Sequence, residues 1–171
     1  MTTATDLLID GFVRVRQVAH SAIDGLTDGQ LTERLDPEAN TIAWLVWHLA
    51  RVQDDHVAEV AGHGQVWTVG GRGERFGLDR PDDDAIGYGD SSQDVAAVQA
   101  SGELLLGYLD AVHEQTISYV AGLGDDDLER VVDERWDPPV TLAVRLVSVI
   151  SDDLQHAGQA SYIRGILLRR N

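Results

Sequence analysis

Four stretches of this chain place apolar residues three and four positions apart, the spacing that gathers them on one face of an α-helix. The first runs from about Ala4 to Asp24, with Leu7, Leu8, Phe12, Val15, Ala19, Ala22 and Ile23 facing inward. The second follows the capping candidate Asn40, from Thr41 to about Ala61, where Gly62 and Gly64 stop it. The third spans about Ser92 to Ala121 through Val95, Val98, Leu105, Tyr108, Leu109, Val112 and Ile117, and the fourth opens near Pro139 and Thr141 and continues to about Leu168. Four long helices with little strand signal predict an all-α fold, an up-down-up-down four-helix bundle. A chain of 171 residues suffices for one domain spanning 1–171.

Gly62 to Ser91, between the second and third helices, is rich in glycine and aspartate and carries Trp67, Phe76, Pro81 and Tyr88. An aperiodic segment of that length is uncommon unless functional, so it is the candidate substrate-covering loop. The chain also repeats weakly. Gly25-Leu26-Thr27-Asp28 with Leu31 and Asp36 precedes the second helix, as Gly122-Leu123-Gly124-Asp125 with Leu128 and Asp133 precedes the fourth. Thr41, Ala43 and His56 then fall opposite Thr141, Ala143 and His156. Two helical hairpins related by a pseudo-two-fold axis would account for this, and so would chance likeness between amphipathic helices.

A net charge of -16 repels phosphate backbones and anionic lipid head groups, which argues against nucleic acid and membrane partners. Every basic residue is arginine, a bias expected of a GC-rich genome. No cysteine is present, so disulfides, thiolate zinc sites and a cysteine nucleophile are excluded, and any thiol chemistry needs an outside thiol. Met1 to Asp10 does not read as a signal peptide, and no apolar run approaches the roughly 20 residues that cross a bilayer, which places the protein in the cytoplasm. Apolar positions on the outer helix faces leave room for a homodimer.

Chemistry concentrates on two helices. Ser151-Asp152-Asp153-Leu154-Gln155-His156 sets a carboxylate one turn before an imidazole, and residues four apart can close on one ion. Asp153, three residues before His156, serves nearly as well. The second helix offers His48 inside Trp44-Leu45-Val46-Trp47-His48-Leu49-Ala50, whose apolar setting points the imidazole into the bundle. His56 is the rival: it lies eight residues on, roughly 12 Å along the helix, so the two cannot share one ion. The repeat favours His56 and the apolar setting favours His48. His20, His63 and His113 lack such a partner and are expected to be solvated. There is no glycine-rich phosphate loop and no nucleophile elbow.

Trp44 to Ala50, together with Asp152-x-x-x-His156-Ala157-Gly158-Gln159 and Ile163-Arg164-Gly165, closely resembles the DinB-like metalloprotein superfamily, and within it the actinobacterial mycothiol-dependent transferases. The resemblance covers essentially the whole chain. It implies a metal triad of His48, Asp152 and His156 that is also the catalytic centre, with aspartate standing at 152 where histidine or glutamate is more usual. It implies a divalent ion, zinc first, with nickel, iron and manganese also admitted by the ligand types. The implied reaction has mycothiol as thiol co-substrate: the metal lowers the thiol pKa, and the thiolate attacks an electrophile in a detoxifying conjugation or serves as cofactor in an isomerisation. Arg164 and Gln159 would then contact the thiol or metal-bound water, and Trp47 and Trp67 would wall the pocket. Arg164 can equally pair with one of the chain's many acids. Two other readings use the same centre: a hydrolase working through metal-bound hydroxide, and a non-catalytic stress-related metal-binding module.

Overall fold

Short polar residues set the helix boundaries. In the computed structural model, which describes residues 1–78 and 85–170, Thr3 caps α1 (Ala4–Ile23) in a reciprocal box with Asp6. Thr27 with Gln30 does the same for the single turn α2 (Asp28–Leu31). Thr41, not Asn40, caps α3 (Ile42–Ala61): its hydroxyl accepts from the Trp44 N–H at 3.0 Å, and Gly62 ends the helix in the left-handed conformation, φ 72°. Two short helices follow, α4 (Val66–Val69) and α5 (Arg72–Phe76). The expected third helix is two: α6 (Ser92–Ala97), capped by Ser91, and α7 (Gly102–Val120), capped by Ser101. The break at 98–101 buries Val98 and Ala100 and brings Gly102 against Ile23, where an added Cβ would lie 3.0 Å from the Ile23 side chain. α8 (Asp125–Leu128) leads into a small antiparallel pair, β1 (Val131–Asp133) and β2 (Val140–Thr141), which runs directly into α9 (Leu142–Arg170). Pro81 of the connecting segment lies outside the described residues.

The bundle is all-helical as expected apart from that strand pair, but its helices do not alternate in direction. One core cluster joins Val15, Ala19 and Ile23 from the end of α1 to Leu45 and Trp47 early in α3, Leu105 and Tyr108 early in α7, and Ala157 and Ile163 late in α9. The other joins Leu8 and Phe12 of α1 to Val57 and Val60 late in α3, Val120 late in α7, and Leu142, Leu146 and Val149 early in α9. α1 and α9 therefore run one way and α3 and α7 the other, up-down-down-up. α9 packs between α1 and α3, and α7 packs on the opposite side between the same two helices. The reason is the connection after α3: it is long enough to return along the roughly 30 Å of that helix, so α7 starts beside its beginning. Leu7, expected inside, is 66% exposed and lies outside both clusters. No helix among the described residues is long and apolar enough to cross a membrane.

A buried polar network fixes the connection. Asp54, 3% exposed, accepts the backbone N–H groups of Val66 and Trp67 and the Tyr108 hydroxyl, each at 2.8 Å. Arg51, 0% exposed, lies 3.7 Å from Asp54, donates to Gln65 Oε1 at 2.8 Å, reaches the Ala85 carbonyl at 3.4 Å and stacks over Trp67. Both ends of the connection thus hang on adjacent turns of α3. Removing one member of such a pair leaves the other charge buried without compensation. Asp54→Ala is expected to lose about 3–5 kcal/mol in a urea titration.

Asp153 is a different case. It sits in the buried stripe of α9 with Val149 and Ala157, fully enclosed, and neither carboxyl oxygen has a hydrogen-bond partner. Burial, with Asp152 next to it, holds its pKa well above the carboxylate range, so the folded protein keeps it neutral. A raised folded pKa contributes stability that is complete below the unfolded value, about 3.9, and is lost as pH rises toward the folded one. Asp153→Asn removes that penalty. Its midpoint temperature should exceed wild type at pH 7 to 8, with the gap closing as the pH falls toward about 4.

Candidate metal centre

α3 is enclosed on nearly every side, and Trp44 to Arg51 are all buried. His48, 2% exposed, must therefore satisfy its ring nitrogens within the protein. Its Nδ1 lies 2.5 Å from the Ile86 carbonyl, which can only accept, so Nδ1 carries the proton and Nε2 keeps a lone pair. Trp44 stacks on the ring at 4.6 Å and 13°, and the Trp44 indole N–H donates to Asp90 at 2.8 Å. Burial pushes the His48 pKa down, assisted by His156, so the neutral imidazole a metal needs prevails at neutral pH. Gly87, at φ 103°, lies flat against this arrangement: a Cβ there would stand 2.7 Å from His48 Nδ1 and 3.1 Å from the Trp47 ring. The expected covering loop does cover something, namely the back of His48.

α9 brings the other half. His156 Nε2 stands 3.7 Å from Asp152 Oδ2, one turn away, near the ~3.3 Å edge of a tetrahedron built on ~2.0 Å bonds. The His156 Nδ1 donates to Gln159 Oε1 at 3.0 Å, which again leaves Nε2 free. The His48 and His156 rings are 4.7 Å apart, and one ligand atom from each of His48, Asp152 and His156 falls within 4.8 Å of the others. Asp152 Oδ2 is buried with no hydrogen-bond partner. An orphaned carboxylate oxygen facing two imidazole lone pairs fits a divalent cation, and three protein ligands leave a position open.

The structure separates this set from its rivals. His56 bonds Asp55 at 2.9 Å and stands outside the cluster, and Asp153 faces the bundle interior. Gln159 acts on His156 itself. Arg164 turns to the other side of α9, where its guanidinium donates to the Asp24 carbonyl beside His20 and Leu106, so it does not reach the cluster. Trp47 and Trp67 are not pocket walls. They meet edge to face at 6.1 Å in the core, with Trp67 against Phe76 and Tyr108. Of the other histidines, His20 bonds Asp110 at 2.7 Å and His63 bonds Gln115 at 3.0 Å, while His113 is half-buried, its Nδ1 has no hydrogen-bond partner and burial lowers its pKa. The sequence placed Trp44 next to His48 on one helix and Tyr88 in the glycine-rich segment, but it gave no sign of the Ile86 and Gly87 backbone contacts or that Tyr88 stands edge-on to His48 at 5.6 Å.

Two cavities flank the cluster along the groove between α3 and α9. One, about 280 Å³, is bounded by Asp152, His56, Tyr88, Ser148, Ser151 and Gln155. The other, about 480 Å³ and mostly apolar, lies past Gln159 among Leu45, Gly158, Tyr162 and Ile163. Only the smaller cavity is lined by one of the three candidate ligands, Asp152.

Known proteins bear on this arrangement. Among solved structures the chain is similar to a crystal structure of a conserved protein of locus from Enterococcus faecalis, 31% identical over 96% of each chain, with a TM-score of 0.88. No curated protein matches. The family model described as the DinB superfamily matches residues 12–160, a span that contains His48, Asp152 and His156. This chain belongs to the DinB superfamily.

Proposed function

We propose that this protein is a metal-dependent thiol S-transferase of the cytoplasm, which joins a low-molecular-weight thiol, mycothiol in a host that makes it, to an electrophile in a detoxifying conjugation. The observation that carries this reading is the convergence of His48, Asp152 and His156 ligand atoms beside a cavity that Asp152 itself lines, in a chain without cysteine. His48, Asp152 and His156 would hold the ion, zinc by donor type. Zinc bound there supplies Lewis acidity, which lowers the pKa of a thiol entering the open position. The protein's own groups do the rest. Ile86 and Gln159 fix the ring orientations, Trp44 and Gly87 exclude water behind His48, and the two cavities admit thiol and electrophile separately. In the transfer, the thiol proton passes to solvent, a carbon–sulfur bond forms, and the leaving group departs with the electron pair of its old bond.

Metal analysis of the purified protein tests this directly. Wild type should hold near one equivalent of zinc, and His48→Ala and Asp152→Ala should hold little, with helical circular dichroism retained. Conjugation of a bromoalkyl reporter should require both metal and thiol. Turnover of an ester or amide without any thiol would replace this reading by metal-hydroxide hydrolysis.

Gly87 gives a separate check on how His48 is held. Gly87→Ala forces a Cβ into the ring and strains a backbone at φ 103°, so the Ile86 carbonyl must move. Losing such an orienting partner costs metal affinity about 10–100-fold, measurable by competition with a chromogenic chelator.

A further inference from the structure

The side of α9 turned away from the bundle is apolar where solvent would favour charge. Val144, Val147, Leu154 and Leu168 are exposed there, from 38% for Leu154 to 56% for Val147. They lie on one line along the helix, at alternating steps of three and four, with only serine and glycine at the positions between. No charged residue falls on that line, although 25% of the chain is charged. Gly158, in the middle of it, weakens a helix interior, and a Cβ added there would meet nothing within 4 Å among the described residues, so the bundle itself supplies no reason for the missing side chain. Leu7 widens the surface. Gly11, one turn further on, packs so closely on α9 that an added Cβ would stand 2.8 Å from the Ile150 side chain, so this face of α1 borders α9 and Leu7 lies level with the turn that carries Val147.

We propose that this face pairs with the same face of a second copy, α9 against α9 and antiparallel, about a two-fold axis level with position 156. At that register Val144 faces Leu168, Val147 faces Gly165, Ser151 faces Ser161 and Leu154 faces Gly158. The bulky half of each helix thus meets the small half of the other, the self-complementarity that an isologous contact requires. A parallel pair would stack glycine on glycine and leave voids. The ends are complementary too. α9 finishes on Arg169 and Arg170, and its start lies beside the start of α1, which carries Asp6 and Asp10. Reversal brings the basic end of each copy to the acidic end of the other. The line is roughly 36 Å long, and with the bordering face of α1 it covers on the order of 700 Å², near the ~800 Å² per partner of a standard interface. Asp152 and His156 lie on the α3 side of α9 and stay uncovered, so the pairing is independent of the metal chemistry. Gly158 also lines the larger cavity, which sets Leu154 of the second copy at its rim.

Sedimentation velocity over a concentration series tests the contact. Wild type should sediment as a dimer. Leu154→Glu should weaken association on the order of 100-fold, because the two-fold axis places the charge in the contact twice, and should keep the helical circular dichroism and midpoint temperature, because Leu154 is exposed in the single chain. The register has its own test in a chain without cysteine. Val147→Cys with Gly165→Cys in one chain, treated with diamide, should give a covalent dimer on a non-reducing gel, since about 27 Å of helix separates the two positions and no bridge can form within a chain. Either substitution alone should stay uncrosslinked. Efficient crosslinking of Val147→Cys alone would show a parallel pair and overturn the proposal, and so would a dimer that Leu154→Glu leaves intact. A wild type that is monomeric at every concentration would overturn it as well, and retention of that monomer by phosphatidylcholine vesicles would give the face to lipid instead.

Discussion

The hydrogen bond from His48 Nδ1 to the Ile86 carbonyl is the interaction on which the centre depends. An imidazole buried on an apolar helix face cannot leave either nitrogen unanswered without a desolvation cost of about 1–3 kcal/mol. Given the Ile86 carbonyl on one side, the other nitrogen has a lone pair and a single direction. That direction is toward Asp152 and His156, where a carboxylate oxygen is equally unanswered. The two deficits face each other, and one cation would resolve both.

That bond exists because the connection after α3 is anchored at both of its described ends. Asp54 fixes the start of α4 and Arg51 reaches the Ala85 carbonyl, one residue before Ile86. The same connection returns the chain to the other end of the bundle, which makes α7 parallel to α3. Helix direction and histidine orientation are therefore two consequences of one crossover. A short turn after Ala61 would give an alternating bundle and would leave His48 without its backbone acceptor.

Much of this could be read from the residues. Helical periodicity located α1, α3 and α9 to within a few positions, because their inward faces are continuous and their starts are capped. The pairing of Asp152 with His156 follows from one helical turn. Asp153 could have been set aside on the same grounds: it continues the spacing of Leu146, Val149, Ala157 and Ala160, so it lies in the core stripe while Asp152 lies on its edge. Direction was not legible, because periodicity says which face is buried and nothing of where a connection leads. Nor was the Ile86 contact, since a backbone carbonyl leaves no trace in residue type. Nor was the partner of Arg164, since the open carbonyl at the end of α1 takes its guanidinium rather than a thiol or an acidic side chain.

The internal repeat aligns the candidate metal cluster with the polar cavity beside it. Thr41 and Thr141 begin the two helices, and Leu31 and Leu128 are the buried residues of the short helices before them, as hairpins related by a two-fold axis require. α3 and α9 cross antiparallel, with His48 beside His156 and His56 beside Ser148, so the axis passes near Val52 and Asp152. Applying it to His48, Asp152 and His156 gives Ser148, Val52 and His56, and all three line the smaller cavity. At the repeat's spacing of about 100 residues, the cavity thus carries an imidazole where the candidate cluster has His156, and Ser148 and Val52 where it has His48 and Asp152. A lone imidazole does not make a metal site.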